Sequence, residues 1–406
     1  MQAIIMAGGQ GTRLKELTAD LIPKPMIEIC GKPLLQWQIE NLRSNGIDDI
    51  IIIVGHLGEQ IINKFEGVRY YKEDKPLGTA GILPQLEDIL EDDFFLVYGD
   101  LFFDIDLQRM MEFHRSHQAR GTAFVHPNSH PHDSNLVVVD NNYRIKEIMP
   151  KGESLPWWMH NLTNAGIYIF NKKILEVFPT TEKVDLEKDI LPEIRYFYAY
   201  RSTEYVKDIG TTARFYQTEN DIKNQIPEHR SLKKKQKAIF LDRDGTINYK
   251  NDLISNPIKF KLFPYAAEAI RKINKSEYLA IVITNQPVIA RGLCSLKMLD
   301  AIHAKMEEQL GNSEAYLDDI FFCPHHPDKG YPEENPKYKI NCDCRKPKPG
   351  MIFAAAEKYN IDLSQSWMIG DTQIDYETAI NAGVKPLIVG KDTENLLTAV
   401  RRILNE

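Results

Sequence analysis

"AIFLDRDGTIN", residues 238–248, carries an apolar run straight into an Asp-x-Asp pair and then a glycine. Short runs rich in branched and aromatic residues, ended by turn formers, predict a buried strand. Open α/β sheets bind ligands in the crevice beyond the carboxyl ends of their strands. Asp242 and Asp244 would therefore both face such a crevice. One carboxylate there can attack phosphorus covalently, and the other can serve as acid and base. An exposed acidic turn is the plainer alternative for the pair taken alone.

Working outward, "LAIVITN" and "SWMIGD" repeat the strand pattern downstream, separated by helical stretches such as "AAEAIRKIN" and "MLDAIHAKMEEQLG". A second α/β domain is expected over 237–406. Upstream, "NQIPEHRSLKKKQK" is polar and basic and reads as a solvated boundary, with the linker at 229–236. Before it, "QAIIMA", "DDIIIIVG" and "DFFLVYGD" alternate with "PLLQWQIENLRSN". This predicts a doubly wound mixed sheet over 1–228.

Composition narrows the classes. The net charge of −7 argues against a broad nucleic-acid surface. No apolar stretch approaches the roughly 18 residues of a membrane span, and the start lacks the pattern of a secretory leader. Five cysteines without such a leader predict reduced thiols and a cytoplasmic protein. The expected partners are small molecules, with neither nucleic acid nor membrane; oligomeric state is not readable. The adjacent Trp157 and Trp158 read as packing.

"MAGGQGTRLKELTADLIPKPM" follows the first strand. Gly8, Gly9 and Gly11 let backbone N–H groups approach a polyphosphate. The spacing is neither GxGxxG nor a P-loop. Arg13 and Lys24 add the two cations that transfer at phosphorus needs. Glycines alone would equally suit a tight turn. The segment resembles the signature of the sugar-1-phosphate nucleotidylyltransferases, whose fold is GT-A-like, and the resemblance continues in order to about residue 220. "PLGTAG" resembles the family's nucleotide-contacting segment, which implies roles for Gly78, Thr79 and Ala80 as well as Thr12. "VYGDLFFDIDL" and "VKDIGTTARF" imply Asp100 and Asp208 as magnesium ligands. "NAGIYIF" implies Asn164 and Gly166 at the sugar. Lys151, in "IMPKG", corresponds to a second phosphate-binding lysine, although the flanking sequence departs from the family's EKP.

The second half resembles the haloacid dehalogenase-like phosphatases, with a Rossmann-like domain and, from the motif spacing, no large cap. The resemblance implies Asp242 as nucleophile and Asp244 as acid and base. It implies that Thr284 contacts the phosphoryl group beside Asn285, and that Lys346 with Arg345 neutralises it. Magnesium would be held by Asp242, the Asp244 carbonyl and Asp371, with Asp375 behind. "LDRDGTIN", "CPHHP" and "CDCRKPKPGM" resemble the branch of heptose bisphosphate and histidinol phosphatases. Pro287 and Val288 replace the branch's Ser-Gly, and Thr372 stands where lysine is common. Both departures bear on turnover.

Cys323, His325, Cys342 and Cys344 supply the four thiolate and imidazole donors that tetrahedral zinc favours. They bracket a polar, proline-containing loop that cannot build a core, so a structural zinc is expected. Together the halves imply consecutive steps. A heptose 1,7-bisphosphate loses its C7 phosphate, and the heptose 1-phosphate then receives a nucleotidyl group, GMP from GTP. The alternatives are a hexose-1-phosphate transferase with another triphosphate, a phosphatase for another small ester such as histidinol phosphate, and one half reduced to a regulatory binding module.

Overall fold

Lys237–Leu241 is the central strand of a five-stranded sheet. Tyr278–Asn285 and Trp367–Gly370 flank it; Asp319–Cys323 and Lys385–Ile388 lie outside them, all parallel. The computed structural model describes residues 1–9, 14–19, 21–152, 158–179, 183–250 and 253–406.

Side chains along a strand alternate between faces. Ile239 and Leu241 enter one core, with the helices Ala266–Asn274, Leu296–Gly311 and Leu396–Leu404. Ala238 and Phe240 enter the other, with Gly350–Tyr359 and Gln373–Ala382. A strand covered on both faces has to be apolar throughout, which is why "AIFL" is an unbroken run. The helices are striped instead: Ala266, Ala269, Ile270 and Ile273 form the buried face of Ala266–Asn274. Phe240 is wholly buried, and its truncation to alanine would cost about 3–5 kcal/mol. Among the described residues of 237–406 this is the single sheet, so no sheet-built cap is inserted between the motifs.

The other sheet centres on Gln2–Met6, parallel to Ile50–Val54 on one side and to Asp93–Tyr98 on the other. Thr163–Asn171 adds antiparallel to Asp93–Tyr98. The sheet is therefore mixed, as expected. Leu101–Asp104 leaves it and pairs antiparallel with Tyr205–Asp208 in a separate ribbon.

The chain divides into two compact units. One is Met1–Val125, Val137–Ile148 and Asn164–Glu228; the other is His126–Leu136, Met149–Thr163 and His229–Glu406. Residues 229–236 thus lie in the second unit. Lys233, Lys234 and Lys235 are exposed, while Arg230 pairs with Asp318 at 2.8 Å in the interior. Asn360 Nδ2 donates to the carbonyls of Leu232 and Lys234. No helix among the described residues is long and apolar enough to cross a membrane.

Candidate functional site

In the second unit the chemistry-bearing residues gather where neighbouring parallel strands end. Asp242 follows Leu241, Thr284 lies at the end of Tyr278–Asn285, and Asp371 follows Gly370. Lys346 comes from the loop before Gly350–Tyr359. Its Nζ sits 2.8 Å from Asp242 Oδ1 and 2.6 Å from Asp375 Oδ1. Asn285 fixes that lysine's backbone from both sides: Nδ2 donates to the Lys346 carbonyl at 3.1 Å, and Oδ1 accepts its N–H at 3.0 Å. Asn285 was expected at the substrate; here its amide is spent on positioning Lys346.

Asp242, Asp371 and Asp375 bring carboxylate oxygens within 4.8 Å of one another. Asp375 is already engaged, one oxygen by Lys346 and the other by the Thr372 N–H and hydroxyl at 3.1 and 2.6 Å. Thr372 therefore caps the helix Gln373–Ala382. Asp371 Oδ1 is buried with no hydrogen-bond partner among the described residues. That orphaned oxygen beside Asp242 fits a cation. Gly245 makes the approach possible: its φ is +93°, and a Cβ there would lie 2.3 Å from Asp371 Oδ2.

Burial pushes Asp242 above the ordinary carboxylate range, to about 7; Asp375 and Asp244 add to this, and Lys346 opposes it. Burial also raises Asp371, against the pull of Lys250 at 3.4 Å. Asp244 goes the other way. Burial would raise it, but the Arg243 guanidinium at 2.8 Å, with hydrogen bonds from Asn248 and Gln286, more than offsets this and holds it ionised. The Asp244 carboxylate is thus occupied by protein groups.

Cys323, His325, Cys342 and Cys344 bring their donor atoms within 4.8 Å of one another. Cys344 Sγ is 3.2 Å from both Cys323 Sγ and Cys342 Sγ, and His325 Nδ1 is 3.3 Å from Cys344 Sγ. The three cysteines are free. Sulfurs bound to one zinc at about 2.3 Å would sit at comparable spacing, so the donor set fits that ion. His326 faces Arg291 and Asp328 instead. Arg345 donates to the His325 carbonyl at 3.1 Å, so it fastens this loop.

In the first unit, pairing of the ribbon strands sets Asp208 opposite Leu101, and the Ile209 N–H donates to the Asp100 carbonyl at 2.8 Å. The backbone of two acids 108 positions apart is thereby brought alongside. Lys24 Nζ lies 2.6 Å from Asp100 Oδ2, and Arg214 contacts Asp208. Each acid thus faces a cation. Gly78 has φ +86°, and a Cβ there would lie 2.3 Å from the Val184 carbonyl oxygen. The Ala80 N–H donates to that same carbonyl at 3.1 Å, and the Leu186 N–H donates to Thr79 Oγ1 at 2.8 Å. "PLGTAG" is therefore stitched to 184–186. Asn164 Nδ2 reaches Tyr168 and Glu187, and Gly166 packs on the Tyr98 ring. Gly8 lies against the Glu73 carboxylate, and Gly9 is exposed. Lys151 is exposed in the second unit, 3.4 Å from Asp133. Gly11, Thr12, Arg13 and Trp157 lie outside the described residues.

Sequence reading missed Arg243, Gln286, Glu187 and Arg214. Arg243 is wholly buried between the two aspartates. Its position inside a DxD pair was the available signal, but an arginine there also reads as solvent-exposed.

Residues 2–225 match the family described as Nucleotidyl transferase, and residues 343–401 match that described as HAD-hydrolase-like. Over 154 residues, 38% of this chain and 82% of the relative, the chain is 38% identical to the D-glycero-beta-D-manno-heptose-1,7-bisphosphate 7-phosphatase of Pseudomonas putida. Over 231 residues, 53% of this chain and 60% of the relative, it is 34% identical to the mannose-1-phosphate guanylyltransferase catalytic subunit beta of Drosophila melanogaster. The crystal structure of HddC from Yersinia pseudotuberculosis aligns with a TM-score of 0.48 and 28% identity, covering 54% of this chain and 99% of that one.

Proposed function

Because this chain belongs to the nucleotidyl transferase family and, over its second half, to that of the heptose-1,7-bisphosphate 7-phosphatases, we propose that it is a bifunctional enzyme of nucleotide-activated heptose synthesis. It removes the C7 phosphate of D-glycero-D-manno-heptose 1,7-bisphosphate and transfers GMP from GTP to heptose 1-phosphate. The transferase is assigned to 1–228 and the phosphatase to 237–406, joined through 229–236. The observation that carries the reading is the Lys346–Asp242 pair in a chain so similar to the 7-phosphatases. The guanine assignment is supported by the guanylyltransferase relative. Free thiols support a cytoplasmic location.

In the phosphatase, Asp242 attacks phosphorus, the bond to the C7 oxygen breaks, and the departing oxygen takes a proton from solvent. Thr284 and Lys346 hold the phosphoryl oxygens. Asp244, kept ionised by Arg243, is arranged to take the proton from the water that cleaves the aspartyl phosphate. In the transferase, the sugar phosphate oxygen attacks the α-phosphorus and pyrophosphate leaves. Lys24 steadies the joined phosphates; Gly8, Gly9, Gly11 and Arg13 hold the departing ones. Asp242 with Asp371, and Asp100 with Asp208, would each hold a cation such as magnesium, which would supply charge neutralisation at phosphate. Cys323, His325, Cys342 and Cys344 would hold zinc in a structural role.

The test has two parts. Wild type should release phosphate from the bisphosphate and Asp242→Asn should not; equal inertness rejects the phosphatase. With heptose 1-phosphate and each of GTP, ATP, CTP, UTP and dTTP, pyrophosphate release should be fastest with GTP. Another triphosphate ranking first overturns the base assignment.

A further inference from the structure

Thr284, Asn285 and Gln286 are consecutive, and their side chains do different work. Asn285 holds Lys346. Gln286 is buried, and its amide is spent on three protein groups. Its Oε1 accepts from Arg243 Nη2 at 3.0 Å. Its Nε2 donates to Asp244 Oδ2 and to Thr284 Oγ1, each at 3.0 Å. The backbone N–H of Gln286 donates to the Cys323 carbonyl at 2.8 Å, tying the segment to the neighbouring strand.

This amide has one allowed orientation. A guanidinium only donates, so the oxygen must face Arg243; an ionised carboxylate only accepts, so the nitrogen must face Asp244. The nitrogen is then also the atom that meets Thr284. A hydroxyl has one proton and two acceptor positions. With one acceptor position filled by Gln286, the Thr284 proton stays available to a different acceptor. No hydrogen bond donated by Thr284 Oγ1 occurs among the described residues.

We propose that Gln286 is a positioning residue that sets the hydrogen-bond polarity of the phosphatase site. Arg243 orients Gln286, Gln286 makes Thr284 a donor, and Thr284 presents its proton to an anionic phosphate oxygen. This rests on the reading of the second half as a phosphatase in which Thr284 meets the phosphoryl group. A purely structural Gln286 would satisfy Arg243 and Asp244 without acting through Thr284.

Gln286→Glu separates the two. It keeps an oxygen toward Arg243 but turns an acceptor toward Thr284, drawing the hydroxyl proton inward. The readout is the inhibition constant of inorganic phosphate against bisphosphate hydrolysis. Gln286→Glu should raise it about tenfold, the worth of one hydrogen bond to a charged group. In a Thr284→Val background, where only the negative charge added beside Asp244 acts, the same substitution should raise it by a clearly smaller factor. An equal rise in both backgrounds, or none in either, overturns the proposal. If Gln286→Glu does not fold by thermal melting, Gln286→Met enters the same cycle; a smaller rise, absent with Thr284→Val, is expected, and equal effects overturn the proposal. Failure of the wild type to release phosphate rejects the phosphatase reading itself and is distinguishable, because no hydrolysis is then left to inhibit.

Discussion

Lys346 Nζ lies 2.6 Å from Asp375 Oδ1, and both side chains are almost wholly buried. Lys346 also reaches Asp242, so its one charge is shared between a residue assigned to attack phosphorus and one that only supports it. Asp375 is held in turn by Thr372. Removing one partner of a buried pair typically costs about 3–5 kcal/mol, because the other is left uncompensated. Asp375→Ala should therefore destabilise the second unit by about 3 kcal/mol in urea unfolding and lower phosphate release. Unchanged stability would show that Lys346 does not depend on it.

The four-donor cluster predicts a metal. Purified wild type should carry one zinc per chain, and Cys342→Ser should lose it. Chelation should lower the melting temperature of wild type but not of the variant. Zinc retained by Cys342→Ser rejects the site.

Gly78 is the point where the segment assigned to nucleotide contact crosses Val184 with no room for a side chain. Gly78→Ala adds both a backbone clash and a left-handed φ at a residue with a Cβ, costs of order 1–2 kcal/mol for the conformation alone. Pyrophosphate release should fall by at least tenfold while phosphate release stays unchanged. Equal loss of both activities would mean that the substitution acts through global unfolding.

His160 places one ring nitrogen 3.0 Å from Asp300 and the other on Glu307, all within the second unit. Burial would lower its pKa, but Glu307 and Asp300 more than offset this and raise it to about 10. A raised base stabilises the fold fully below the unfolded value of 6.5 and loses that contribution as pH climbs through about 10. Its side chain is still 37% exposed, so solvent screening trims the effect. The melting temperature of His160→Gln should fall below wild type by a few degrees at pH 6. The gap should close as pH approaches 10, and a gap independent of pH refutes the assignment.

Much of the fold was legible because burial imposes simple patterns. "AIFL" had to be a doubly covered strand, and the acids after it had to stand at the sheet's carboxyl edge. The grouping of Cys323, His325, Cys342 and Cys344 was legible too, since it follows from thiol and imidazole spacing. The partners of those residues were not. Nothing in an isolated Gln286 or Arg243 separates a buried hydrogen-bond relay from a polar loop residue.

By itself, then, the sequence determined two α/β halves, the strand-end aspartates and the cysteine–histidine set, because each follows from local periodicity or donor chemistry. Only the tertiary structure decided that Asn285 serves Lys346 and that Arg345 fastens the cysteine–histidine loop. It alone also determined that the Asp208 strand end lies beside Asp100, and that Asp375 shares the charge of Lys346. Those pairings depend on which strand ends lie side by side, and long-range register is a property of the packed sheet.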